Sequence, residues 1–131
     1  MSRRYLIRDE VDGALRRGRT VECFLGGFQR DGLNGIRRIA LSLVDGTVIL
    51  NLYESRDFGG IVFLDLYVFG PFDANLELDE PDEAMSFIEL EDCLGAMEQR
   101  WPGSSGRLVN EGVLQDEYAD YVASRSLSRQ E

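Results

Sequence analysis

Between Asp73 and Glu98 the chain carries ten carboxylates, Asp73, Glu77, Asp79, Glu80, Asp82, Glu83, Glu89, Glu91, Asp92 and Glu98, and no basic residue. Carboxylates at that density suit three kinds of chemistry: acid and base pairs for hydrolysis, oxygen ligation of a hard cation, and docking of cationic groups. The remaining composition narrows the choice. The chain has no histidine and no lysine, so it offers no imidazole base, no imidazole metal ligand, no Schiff-base amine and no phosphate-loop lysine. Any catalysis would rest on carboxylate, arginine, hydroxyl or thiol alone.

Each catalytic option then meets an obstacle. The acids from Asp73 to Glu83 lack the D-x-D-x-D-G spacing of a calcium loop, and no metal is expected. Cys23 and Cys93 form no C-x-x-C pair, have no base to activate them and sit among apolar residues, which predicts buried free thiols. Gly26-Gly27 and Gly59-Gly60 lack the strand-to-helix spacing of a phosphate cradle, so no cofactor is expected either. An acid pair of the glycosidase kind needs a cleft with room for a sugar, which a chain of this size hardly provides. The expectation is a non-enzymatic binding protein. Its partner-binding residues are expected to be Asp73, Glu77, Asp79, Asp82, Glu83, Glu89 and Asp92, with Trp101, in its Pro-Gly-Ser loop, as an aromatic anchor.

The charge distribution points to the partner. Net charge is −10, yet residues 1–38 hold nine arginines against five acids, while the remainder holds five against nineteen. A net acidic surface disfavours direct nucleic-acid binding and favours a basic protein partner. An immunity or antitoxin-type inhibitor of bacterial kind has this composition, with carboxylates standing where phosphates would lie on a toxin or a nucleic-acid-processing enzyme. Two other functions are open to the same sequence. One is a small-molecule or metal-binding domain, or a small enzyme, with a pocket between sheet and helices served by Tyr53, Arg56 and Asp57. The other is a self-associating structural subunit or homodimer, in which Arg16, Arg17, Arg19, Arg37 and Arg38 pair with the acidic stretch. The longest apolar run, Ile61–Phe69, is broken by Asp65 and is far shorter than the roughly 20 residues of a membrane span. With no signal-peptide core near the N-terminus, a cytoplasmic protein without a membrane partner is expected.

The elements that must position these residues are legible from periodicity. Asp9 to Arg17 reads as a helix, with Val11, Ala14 and Leu15 on one side and Gly18 as its stop. Thr20 to Leu25 reads as a strand ended by Gly26-Gly27, followed by a turn-rich segment from Gln29 to Gly35. Arg37 to Val44 and Thr47 to Glu54, joined by Asp45-Gly46, form a β-hairpin. Ile61 to Phe69 is expected to add a strand. Asp79, Pro81, Asp82 and Glu83 resemble a helix start, with Ala84, Phe87, Leu90 and Leu94 as its inward stripe and Gly95 as its C-cap. Residues 99–106 read as a loop, Arg107 to Val109 as a short edge strand, and Gly112 to Ala123 as a closing helix carrying Leu114, Tyr118, Tyr121 and Val122 inward. The order implies a single α+β domain over residues 1–123, with a four- to five-stranded, mainly antiparallel meander and about three helices packed on one face of it. Residues 124–131 are expected to form a flexible tail.

Overall fold

The computed structural model describes residues 4–59 and 65–130, the side chains of 126–130 excepted. Its centre is a five-stranded antiparallel sheet of strands β1 (Val21–Arg30), β2 (Leu33–Val44), β3 (Thr47–Arg56), β4 (Glu83–Phe87) and β5 (Val109–Asn110), in the order β4-β3-β2-β1-β5. Helices α1 (Arg8–Arg16), α2 (Leu90–Arg100) and α3 (Leu114–Gln130) pack against it. The α+β architecture is the expected one.

Two Asp-Gly turns make the meander. Asp45-Gly46 joins β2 to β3 with both φ values positive, 49° and 80°, as a two-residue hairpin loop requires. Asp31-Gly32 repeats the same signature between β1 and β2, with φ of 54° and 76°. The expected loop from Gln29 to Gly35 is therefore two strand ends around one tight turn. Nor does Gly26-Gly27 end β1. The strand passes through both glycines after a bulge between Phe24 and Gly26, and Gly27 lies under the Tyr121 hydroxyl, where a Cβ would come within 2.0 Å of it.

Residues 21–24 are buried on both faces of the sheet. Val21 and Cys23 join Ile39, Leu41, Val48, Leu50 and Leu52 under α1 and α2, which contribute Val11, Ala14, Leu15, Leu90, Cys93 and Met97. Phe24 and Ile36 face the other way, onto α3 through Leu114, Tyr118 and Val122, with Leu66 and Phe69 beside them. The helices are thus divided between the two faces instead of sharing one. The reason lies in β1, where Cys23, Phe24 and Leu25 are consecutive apolar residues and place apolar side chains on both faces.

Two further expectations are corrected. The segment from Glu83 to Phe87 is strand β4, paired with β3, and the helix begins only at Leu90. Ala84, Met85, Ser86 and Phe87 alternate outward and inward with period two, and the free edge of β3 supplies the partner that selects strand over helix. Gly95 accordingly lies within α2 and is no cap. The expected strand Ile61–Phe69 falls partly outside the described residues; its described end forms a 3-10 turn at Leu66–Val68, whose Leu66 is buried toward α3. Gly70 to Phe72 then runs beside the end of β3, where Gly70 O accepts from Arg56 N and Phe72 N donates to Glu54 O. The edge strand at Val109 pairs with β1 as expected, and α3 is helical to Gln130, through the segment expected to be a tail.

Both cysteines are free and buried, and burial pushes each thiol up to about 12. A thiol reagent at neutral pH is therefore expected to label neither Cys23 nor Cys93 until the protein is unfolded; rapid labelling of the native chain would contradict this packing. At Gly35, whose cross-strand partner is Phe28, an added Cβ would lie 2.4 Å from the Phe28 ring. Gly35→Ala should lower stability by about 1–3 kcal/mol in urea denaturation, because either the ring or the strand must give way.

Candidate binding groove

The half of the first sheet face that α1 and α2 leave uncovered carries a groove of about 700 Å³. Its lining comes from four strands, the loop before β4 and the end of α2. Arg30 closes β1, Arg37 and Glu54 are cross-strand partners in β2 and β3, and Arg100 and Trp101 end α2. Leu52 forms part of the floor, and Asp73, Asp82 and Glu83 complete the lining.

Glu54 sits at the centre of a charge network. Its Oε2 accepts from Arg37 Nε at 2.6 Å and from Arg30 Nη2 at 3.1 Å, and its Oε1 accepts from Arg30 Nη1 at 3.1 Å. Burial works to raise the carboxyl pKa, but the two arginines outweigh it and hold it below the ordinary glutamate value. The same guanidiniums lie over the Phe28 ring, Arg37 at 4.1 Å and Arg30 at 4.9 Å from its centroid, and Phe28 packs against Phe72 at 5.0 Å. Across the groove Arg100 lies over Trp101 at 4.7 Å and pairs with Glu83. Asp82 Oδ1 accepts from Glu54 N at 2.7 Å. Its carboxyl is held above the usual aspartate value, chiefly by burial, with the charges of Glu54 and Asp73 adding to the effect.

The structure therefore brings together four of the eight residues expected to bind a partner: Asp73, Asp82, Glu83 and Trp101. Asp82 and Glu83 serve the entry to β4 and do not start a helix. Glu77 and Asp79 are exposed on the connecting loop next to them. Glu89 and Asp92 belong elsewhere: Glu89 is the N-cap of α2 and lines a separate cavity with Arg8 and Ile88, and Asp92 is exposed in the first turn of α2. The single acidic helix face expected from the sequence is thus split. Arg30, Arg37, Glu54 and Arg100 were not among the expected site residues. Counting outward from the Asp45-Gly46 turn pairs Val44 with Thr47 and eventually Arg37 with Glu54, so this contact was encoded in the hairpin.

The residues of the other expected groupings have partners within the chain. Arg37 and Arg38 pair with Glu54 and Glu22, and Arg16 with Asp12 of its own helix. Only Arg8, on Glu91, and Arg100, on Glu83, reach into the acidic stretch among the ion pairs of the described residues. Tyr53, Arg56 and Asp57 each have a structural partner: Arg38 stacks on Tyr53, Arg56 lies over Phe58, and Asp57 accepts from Tyr118 and Arg125 of α3, both at 2.5 Å. Among the described residues no three Cys, Asp or Glu side chains are grouped to hold a metal ion.

Glu54→Gln leaves two stacked arginines without their counter-charge. A loss of about 1–3 kcal/mol is expected at neutral pH, toward the lower end because both guanidiniums are partly exposed. Since Glu54 titrates lower in the folded chain than unfolded, its contribution is complete above the ordinary glutamate range and disappears as pH falls through the folded value. Denaturation curves of wild type and variant should then converge in acid; a difference that persists there would point away from the charge. No protein-family model, no curated protein and no solved structure matches the chain.

Proposed function

We propose that the chain is a non-enzymatic binding protein that docks a basic partner protein through the loop from Asp73 to Pro81 and the groove beside it. The observation that carries this reading is the state of the loop carboxylates. Asp73, Glu77, Asp79 and Glu80 are exposed, and none has an ion-pair partner among the described residues. Most arginines near the groove are already committed, Arg30 and Arg37 to Glu54 and Arg100 to Glu83. The excess field is therefore negative and concentrated on a segment that can approach a cationic surface. Leu78, half-exposed in the middle of the loop, and Trp101 at the groove wall supply the apolar contact that a charged interface needs at its centre.

Exposed carboxylates of this kind steer encounter and lose strength with salt, whereas the stacked groove residues set how long the complex lasts. An inhibitor of the immunity or antitoxin type, acting in the cytoplasm on a basic toxin or nucleic-acid-processing enzyme, accords with this arrangement. The lack of histidine and lysine also fits binding better than catalysis.

The test compares two charge reversals. Fluorescence anisotropy with an arginine-rich peptide, and co-purification of the native basic partner, should both show at least about tenfold weaker binding for Asp73→Arg/Asp79→Arg/Glu83→Arg. Glu111→Arg/Asp116→Arg, equally exposed but remote in the chain, should bind nearly as the wild type does. Equal losses from the two sets would remove the loop and groove as the docking site.

A further inference from the structure

The sheet has two edge strands, and they differ. At β5, only two residues long, the N-terminal segment covers part of the edge, where Leu6 N donates to Leu108 O. The edge at β4 is open. Val44 and Thr47 flank the two-residue hairpin turn as a hydrogen-bonded pair, so by alternation the backbone groups of Val48, Leu50, Leu52 and Glu54 turn toward the β4 side. Glu54 does so visibly: its N–H donates to Asp82 and its C=O accepts from Phe72 N. Phe87, Met85 and Glu83, the partners of Val48, Leu50 and Leu52, therefore hold the ladder. The N–H and C=O groups of Ala84 and Ser86 point away from the sheet. Both residues are exposed, and no other backbone segment among the described residues bonds to them.

We infer that this edge takes an extended segment of the partner as a further strand, with uncharged residues along β4 and basic residues beyond each of its ends. The inference rests on the basic-partner reading above and adds how that partner is held. Main-chain donors and acceptors in this alternation are a template for another extended backbone. Charge decides whose backbone it is. β4 covers five residues, about 17 Å of strand, with Asp79 and Glu80 before it and Glu89 and Asp92 after it. All four carboxylates are exposed, and none has an ion-pair partner among the described residues. A second copy of the chain is turned away in either direction. Antiparallel pairing sets Asp79 and Glu80 against Glu89 and Asp92 of the copy, and parallel pairing sets each flank against itself. A basic segment meets opposite charge at both ends. Glu89 and Asp92, which lie outside the groove, thereby join the loop carboxylates in one surface.

Ser86→Pro tests the backbone without touching the charge. The lost N–H serves no bond to β3, and proline is tolerated on an edge strand where its nitrogen faces outward, so the far-UV spectrum and urea midpoint should stay near those of the wild type. In fluorescence anisotropy with a peptide of alternating threonine and valine between two arginine pairs, the variant should bind at least about tenfold more weakly. A folded Ser86→Pro that binds as the wild type does would overturn the strand addition and leave the charged docking surface standing. Equal losses from the two charge-reversal sets would remove the surface and the strand addition with it, and so would a wild-type chain that ignores the peptide. A second measurement needs no variant. At saturating peptide, hydrogen exchange at the Ala84 and Ser86 amides should slow at least about tenfold; exchange at the rates of the free chain would overturn the inference even if Ser86→Pro fails to fold.

Discussion

The strand segment from Val21 to Phe24 must be kept from water on both sides, and most of the architecture follows from that demand. Val21 and Cys23 require the layer of α1 and α2, and Phe24 requires α3 and the turn at Leu66. Glu22 occupies the same buried strand and is tolerated because every oxygen is engaged: Oε1 accepts from Tyr67 at 2.7 Å and from Gly112 N at 3.3 Å, and Oε2 from Arg38 at 3.3 Å. Burial raises its pKa and these donors pull it back in part. The three helices of the described residues divide between the two faces, α1 and α2 on one and α3 on the other. On the face of α1 and α2 the uncovered part of the sheet is the groove, and its charge follows from Arg37 of β2 and Glu54 of β3 pointing to that side.

The groove is organised by arginine, which suits the task better than lysine would. A guanidinium can lie flat on an aromatic ring while its edge donates to a carboxylate. Arg30, Arg37 and Arg100 all do both, over Phe28 and Trp101 and toward Glu54 and Glu83. The groove is therefore a stacked and paired framework, with the free carboxylates added along its rim. Those rim acids belong to the negative charge not used in ion pairs among the described residues.

Much of this was legible in the sequence where a local rule had no competitor. Asp45-Gly46 between alternating runs is read as a hairpin without ambiguity, and the stripe of Val11, Ala14 and Leu15 as a helix. The identical Asp31-Gly32 signal was obscured by other turn formers around it, Asn34 and Gly35 among them, although only two residues turn. Glu83 to Phe87 satisfied a helical and a strand period at once, and only the open edge of β3 settled it. The groove was half legible: its acids stood out as a run, while Arg37 and Glu54 became neighbours through a register that the hairpin implied. Arg100 against Glu83 depended on where α2 ends, and no spacing rule reaches that far.

The buried thiols near 12, the tyrosines Tyr67 and Tyr118 raised by burial and the missing histidines have one joint consequence. Among the described side chains, burial holds these thiols and tyrosines uncharged further above neutrality than free groups would be, and it raises the carboxyls of Glu22 and Asp82. The chain has no imidazole to change charge across the physiological range. A histidine titration found in any complex it forms would belong to the other molecule, against which this chain stands as a fixed reference.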